Sequence, residues 1–124
     1  MTHEEVQAWL DGYIEAWRTN DESSIRALFS TAAVYSYRPW VSEHTARGID
    51  DIVAAWLRHE DDPEAWDARY HPYVVEDERA VAVGWSRYEA RDDQTERTYH
   101  NAFLLRFDHE GKCAEFSEFY MLED

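Results

Sequence analysis

Near the end of the chain, Glu118 stands between two aromatic residues in the stretch CAEFSEFYML. Strand alternation puts Phe116, Glu118 and Tyr120 on one face and Ser117, Phe119 and Met121 on the other. Both faces carry large apolar groups, so both are expected to be covered. A carboxylate on a covered face must be paired, hydrogen-bonded or protonated. A carboxyl group that burial pushes toward neutrality can work as a general acid or base near pH 7. The other reactive residue types offer less. His3, His44, His59, His71, His100 and His109 show no HExxH or HxH spacing, so no metal is expected. His44 and His71 are placed to reach a cavity mouth or a subunit interface, and His100 faces away from any cavity. The single cysteine, Cys113, forms no internal disulfide and no CxxC pair. No serine sits in a GxSxG elbow and no glycine-rich loop cradles phosphate, which leaves nucleotide binding and acyl-enzyme chemistry without support. No cofactor is expected.

The elements that must hold Glu118 follow from periodicity. Val6, Trp9, Leu10, Tyr13, Ile14 and Trp17 mark one face of a helix over residues 3–19, and Thr2 with Glu5 fits a capping box. Asp21 caps a short second helix over 22–30 that buries Ile25, Leu28 and Phe29. A strand over 32–38 follows, with Ala33, Tyr35 and Tyr37 on one face and Val34, Ser36 and Arg38 on the other. Residues 39–48 read as a loop, and Gly48 leads into a third helix over 49–60. The remainder reads as strands over 65–75, 78–90, 97–107 and 113–122, with a turn at 91–96. Pro72 favours an edge or a bulge. Short turns join the last three strands, which predicts an antiparallel meander. Helices first and strands later argue for an α+β fold with helices on one face of a strongly curved, mixed or antiparallel sheet.

The 124 residues fit one domain, 1–124, with 44% hydrophobic and 15% aromatic content, enough for a real core. The net charge of −15, from 27 acidic and 12 basic residues, repels nucleic-acid phosphates and anionic lipid surfaces, so neither is an expected partner. No apolar run reaches membrane-span length, and acidic residues stand near the N-terminus where a signal peptide needs basic ones. A cytoplasmic location is expected.

The segments WLDGYIEAWRTND, IRALFS, AAVYSY, RGIDDIVAAW and NAFLLRFDHEGKCAEFSEFY, in that order, resemble the SnoaL-like (polyketide cyclase-like) branch of the nuclear transport factor 2-like superfamily. The resemblance implies a cone-shaped sheet wrapped around the first helix, and a homodimer through the outer sheet face. It says little about function, because this fold hosts isomerases, cyclases, hydrolases, dehydratases and binding proteins. Taking the ketosteroid isomerase relatives as a guide, the implied pocket face holds Tyr13, Tyr35 and Tyr37. The long strand adds Val83, Trp85, Arg87 and Glu89. The next adds Tyr99, Asn101, Phe103 and Leu105, and the last adds Phe116, Glu118 and Tyr120. Tyr13 matches the isomerase's oxyanion-binding tyrosine. Its general-base position falls on Tyr37 and its second oxyanion donor on Phe103, which argues against that reaction.

On this phase Arg87, Asn101 and Glu118 meet in one cavity, with Arg87 paired to Glu118 and Asn101 donating to it. Three readings stand: an inert pair, whose loss costs ~3–5 kcal/mol, a ligand contact, and a catalytic pair of Glu118 and Arg87. Arg87, Glu89 and Glu118 also resemble, loosely, the Arg-x-acid layout of limonene epoxide hydrolase-like relatives. Glutamates replace the aspartates there, a displacement of about an ångström that costs roughly a hundredfold in rate. Trp9, Trp17 and Trp56 at helical spacing read first as core, although Trp17 and Trp56 also stand among the candidate ligand contacts. Trp40 is placed to close the pocket mouth, and Trp85 and Tyr120 to form its wall. Such a lining suits a flat apolar or aromatic ligand with one or two polar handles. The leading expectation is a small-molecule pocket. The alternatives are a cofactor-free isomerase, cyclase or hydrolase using Glu118, and a protein-interaction module.

Overall fold

A computed structural model describes residues 1–92 and 94–124. The first helix, α1 (His3–Thr19), starts at the expected capping box. Glu5 N–H donates to Thr2 Oγ1 at 3.1 Å, and Thr2 N–H to Glu5 Oε1 at 3.0 Å. It ends at Asn20, whose left-handed φ of 55° lets its N–H close on the Ala16 carbonyl. Asp21 accepts from Ser24 N–H and starts α2 (Glu22–Leu28). The helix stops two residues short of the expected end, because Phe29 is already extended and pairs with Cys113 as the first residue of strand β1 (Phe29–Ser36). The expected loop over 39–48 contains a 3₁₀ turn (Ser42–His44) and a short strand, β2 (Thr45–Arg47), which pairs antiparallel with β1. Gly48, at φ 87°, leads into α3 (Ile49–Arg58).

Four strands follow: β3 (Trp66–Glu76), β4 (Arg79–Tyr88), β5 (Arg97–Phe107) and β6 (Cys113–Leu122). The expected turn over 91–96 includes residue 93, which lies outside the described residues. The sheet order is β2-β1-β6-β5-β4-β3. β3 through β6 form an antiparallel meander, whereas β1 joins β6 in parallel, so the curved, open sheet is mixed. β3 is an edge strand, and its register shifts between Pro72 and Val74, so the proline occupies both an edge and a bulge.

The core lies between the helices and the inner sheet face. Val6, Leu10 and Ala16 of α1 are fully buried and meet Phe29, Phe103, Phe107 and Phe116. Trp9 packs edge-on against Phe29 and Phe107, and its indole N–H donates to the Leu28 carbonyl at 2.9 Å, which removes the penalty for burying it. Among the described residues, no helix is long and apolar enough to cross a membrane.

Candidate functional site

Glu118 faces inward from β6, opposite Phe103 on β5. Asn101 Nδ2 donates to its Oε2 at 2.8 Å, and Ser86 Oγ donates to Asn101 Oδ1 at 3.0 Å. Ser86 and Asn101 are the two buried polar residues among those described. The serine occupies the amide oxygen, so the amide NH₂ is left to face the carboxylate. Among the described residues, no cation pairs with Glu118, because the ion pairs all lie elsewhere. Burial pushes its carboxyl up to about 7, and the Asn101 hydrogen bond pulls the other way. The phenols of Tyr13, Tyr35 and Tyr70 are pushed up by burial and then by neighbouring groups, Glu118 included. They stay protonated. Tyr13 and Tyr35 hydroxyls meet at 3.2 Å.

Glu118 opens onto a cleft with two lobes. The inner lobe, about 360 Å³, is walled by Tyr13 and Trp17 from α1, Tyr35 from β1, Ala55 and Trp56 from α3, and Tyr70 from β3. The outer lobe, about 330 Å³, adds Arg97, Tyr99, Asn101 and Tyr120. Both lobes share Tyr37, Arg38, Asp61, Ser86, Tyr88 and Glu118, which makes them one space with Glu118 at the junction. Trp17 stacks on Trp66 at 3.6 Å and donates to Asp61 Oδ2 at 3.0 Å, so the rim carboxylate is fixed. Tyr37 lies flat on His44 at 5.2 Å.

Of the residues singled out from the sequence, Tyr13, Trp17, Tyr35, Tyr37, Trp56 and Glu118 line the inner lobe, and Tyr99, Asn101 and Tyr120 line the outer one. Phe103 and Phe116 lie one layer deeper, each 1% exposed in the core behind Tyr13. Trp40 is 56% exposed and packs against Phe119 and Tyr120, outside the cleft lining. The larger correction concerns β4. Gly84, not Trp85, pairs with Asn101, so Ala80, Ala82, Gly84, Ser86 and Tyr88 face inward. Trp85 and Arg87, with Val83, face out beside His100 and Thr98. Arg87 therefore cannot pair with Glu118, and the Arg-x-acid layout is absent. Glu89 follows the end of the strand and is exposed.

The expected phase put the bulky residues inside. The concave face of a sharply bent sheet has room for small ones, and Tyr70 lies where a side chain at position 84 would go. The run Ala80, Ala82, Gly84, Ser86 carried that signal. Ser86, Tyr88, Tyr70, Arg38, Arg97, Ala55, His59 and Asp61 are the cleft residues that sequence reasoning missed. Arg38 follows the end of β1, where strand alternation no longer applies, so it lines the cleft beside Tyr37. His44 reaches the cleft, and His71 lies on the outer sheet face opposite Val83. The described residues contain no group of three or more His, Cys, Asp and Glu placed to hold a metal ion.

The family profile of the SnoaL-like domain matches residues 10–116. A search of curated proteins finds no match. Solved structures share the fold. A nuclear transport factor 2-like protein of unknown function from Burkholderia pseudomallei is 21% identical, with 98% of this chain and 92% of that one covered at a TM-score of 0.70. An M. tuberculosis LEH-like epoxide hydrolase is 9% identical, covering 96% and 84% at 0.69. A candidate polyketide cyclase from Sinorhizobium meliloti is 14% identical, covering 96% and 100% at 0.64. At these identities the structures speak for the fold alone. The chain belongs to the SnoaL-like domain family.

Proposed function

We propose that this SnoaL-like protein holds a small, flat, apolar or aromatic molecule in its cleft, with Glu118 and Asn101 taking the polar handle. The observation that carries the reading is an unpaired carboxyl at the junction of two aromatic-walled lobes. The inner lobe, at about 360 Å³, falls within the ~300–1,000 Å³ of small-molecule sites. An open cleft supports a pocket over a filled interaction module. We further place a second copy on the outer sheet face, where Val83, Trp85, Leu104, Phe119 and Met121 share one side of the sheet.

One observation favours an enzymatic reading of the same site. A carboxyl that titrates near 7 can take a proton from a substrate carbon or a water and return it, with no cofactor. Glu118→Gln keeps the shape and removes the proton transfer. With a compound that the wild type both binds and turns over, the variant should bind within a few-fold and lose turnover by about a hundredfold or more. Turnover kept by Glu118→Gln would end the acid–base reading and leave the pocket. Failure of the wild type to bind any small aromatic compound would end both.

A further inference from the structure

The outer lobe holds two guanidinium groups with unspent hydrogen-bonding capacity. Arg38 and Arg97 both line it, and neither takes part in an ion pair among the described residues. Aromatic rings hold them instead: Arg38 lies 5.5 Å over Trp40, and Arg97 lies 4.7 Å over Tyr88. Arg38 Nε is buried without a hydrogen-bond partner, and so is Nδ1 of His44 on the neighbouring wall. A buried donor left unsatisfied loses its hydration with nothing in return, so such a donor calls for an acceptor.

Acidic partners are plentiful in this chain, with 27 acidic residues against 12 basic ones. Arg18, Arg26, Arg91 and Arg106 have such partners, and among the described residues Arg47, Arg58, Arg69, Arg79 and Arg87 have none either; what sets Arg38 and Arg97 apart is that they line the cleft. The two acids that share the lobe are otherwise engaged: Asp61 accepts from Trp17, and Glu118 accepts from Asn101. Neither arginine forms an ion pair with Glu118. The cleft is thus aromatic at one end and has free planar N–H forks at the other. A planar fork matches a carboxylate or a phosphate in bidentate fashion.

We propose that the ligand is a flat acid, its apolar body in the inner lobe and its carboxylate or phosphate oxygens between Arg38 and Arg97 in the outer lobe. This rests on the pocket reading above and adds the charge of the ligand to it. Bound so, the ligand spans Glu118, and a polar group on its body next to the anionic one meets Glu118 and Asn101.

The test is calorimetric titration of the full chain with naphthoate, naphthyl phosphate, naphthylmethanol and naphthylmethylammonium. One of the two anions should bind at least about tenfold tighter than the alcohol, the step of ~1.4 kcal/mol that one good charged contact provides. Arg38→Met and Arg97→Met should each weaken anion binding by about tenfold and weaken alcohol binding by less. An unchanged circular dichroism spectrum shows that the variants are folded, and the wild-type comparison stands without them. A tighter phosphate identifies a phosphorylated ligand, and a tighter naphthoate a carboxylic acid. Equal binding of acid and alcohol, or preference for the ammonium, overturns the anionic assignment while the pocket survives. No binding by any of the four overturns the pocket as well.

Discussion

At Glu118, burial raises the carboxyl's affinity for its proton from the ordinary 4.5 to about 7, against the pull of Asn101. The groups facing it are Tyr13 from α1, Tyr35 from β1, Tyr70 from β3, Ser86 and Tyr88 from β4 and Asn101 from β5, with Arg38, His44 and Asp61 at the rim. The folded state is therefore the stronger proton binder. Below 4.5 both states hold the proton and nothing is lost. Between 4.5 and 7 the unfolded chain ionises first, so stability falls as pH rises, and above 7 the cost levels off at ~3 kcal/mol. Glu118→Gln removes this cost. Urea unfolding should show the variant more stable than wild type at pH 8, with the difference gone near pH 4. Parallel stability profiles for the two proteins would contradict the buried, unpaired carboxyl. Glu118 was legible in the sequence because it alternates with Phe116 and Tyr120 on the inner face; the other face, expected to be covered as well, is exposed at Phe119 and Met121. Its hydrogen-bond chain was half legible: Asn101 follows from β5 alternation, but Ser86 required the phase of a neighbouring strand.

At the scale of elements, the close approach of β3 to β4 organises the cleft. A Cβ on Gly84 would lie 1.9 Å from the Arg69 carbonyl oxygen and 2.7 Å from the Tyr70 ring. Backbone cannot swing aside as a side chain can. Gly84→Ala should therefore cost more than the ~1–3 kcal/mol of ordinary overpacking, read as a lowered urea midpoint or failure to fold. A midpoint within error of wild type would show that the strands are not so close. Elements with strong local signals were legible. α1 carries a capping box and a full apolar face, and β6 alternates over its whole length. β2 was not legible, since three residues carry no period, and the β4 phase was not, since alternation alone does not say which face is the crowded one.

For the whole molecule, the outer sheet face and the cleft are separate surfaces. Register places Val83, Ala102 and Phe119 in one row and Trp85, His100 and Met121 in the next. Phe119 is 43% and Met121 74% exposed, an apolar stripe that a second copy would cover. Sedimentation should show a dimer that Phe119→Lys converts to a monomer with an unchanged circular dichroism spectrum. Because the net charge is −15, the dimer should also tighten as salt rises from low ionic strength. A monomer at all concentrations would remove the interface. The α+β plan was legible from the order of elements and the cone from the family resemblance, whereas the cleft's arginines depend on where β1 ends and β5 begins. The pocket, the acid–base reading and the anionic ligand all depend on small molecules entering between helices and sheet, and backbone amide NMR shifts read that entry without any need for turnover. Adding naphthoate or naphthyl phosphate should shift the amides of Tyr35, Arg38, Ser86, Tyr88, Asn101 and Glu118. Shifts confined to Val83, Trp85, Phe119 and Met121 on the outer face, or none at all, would contradict it.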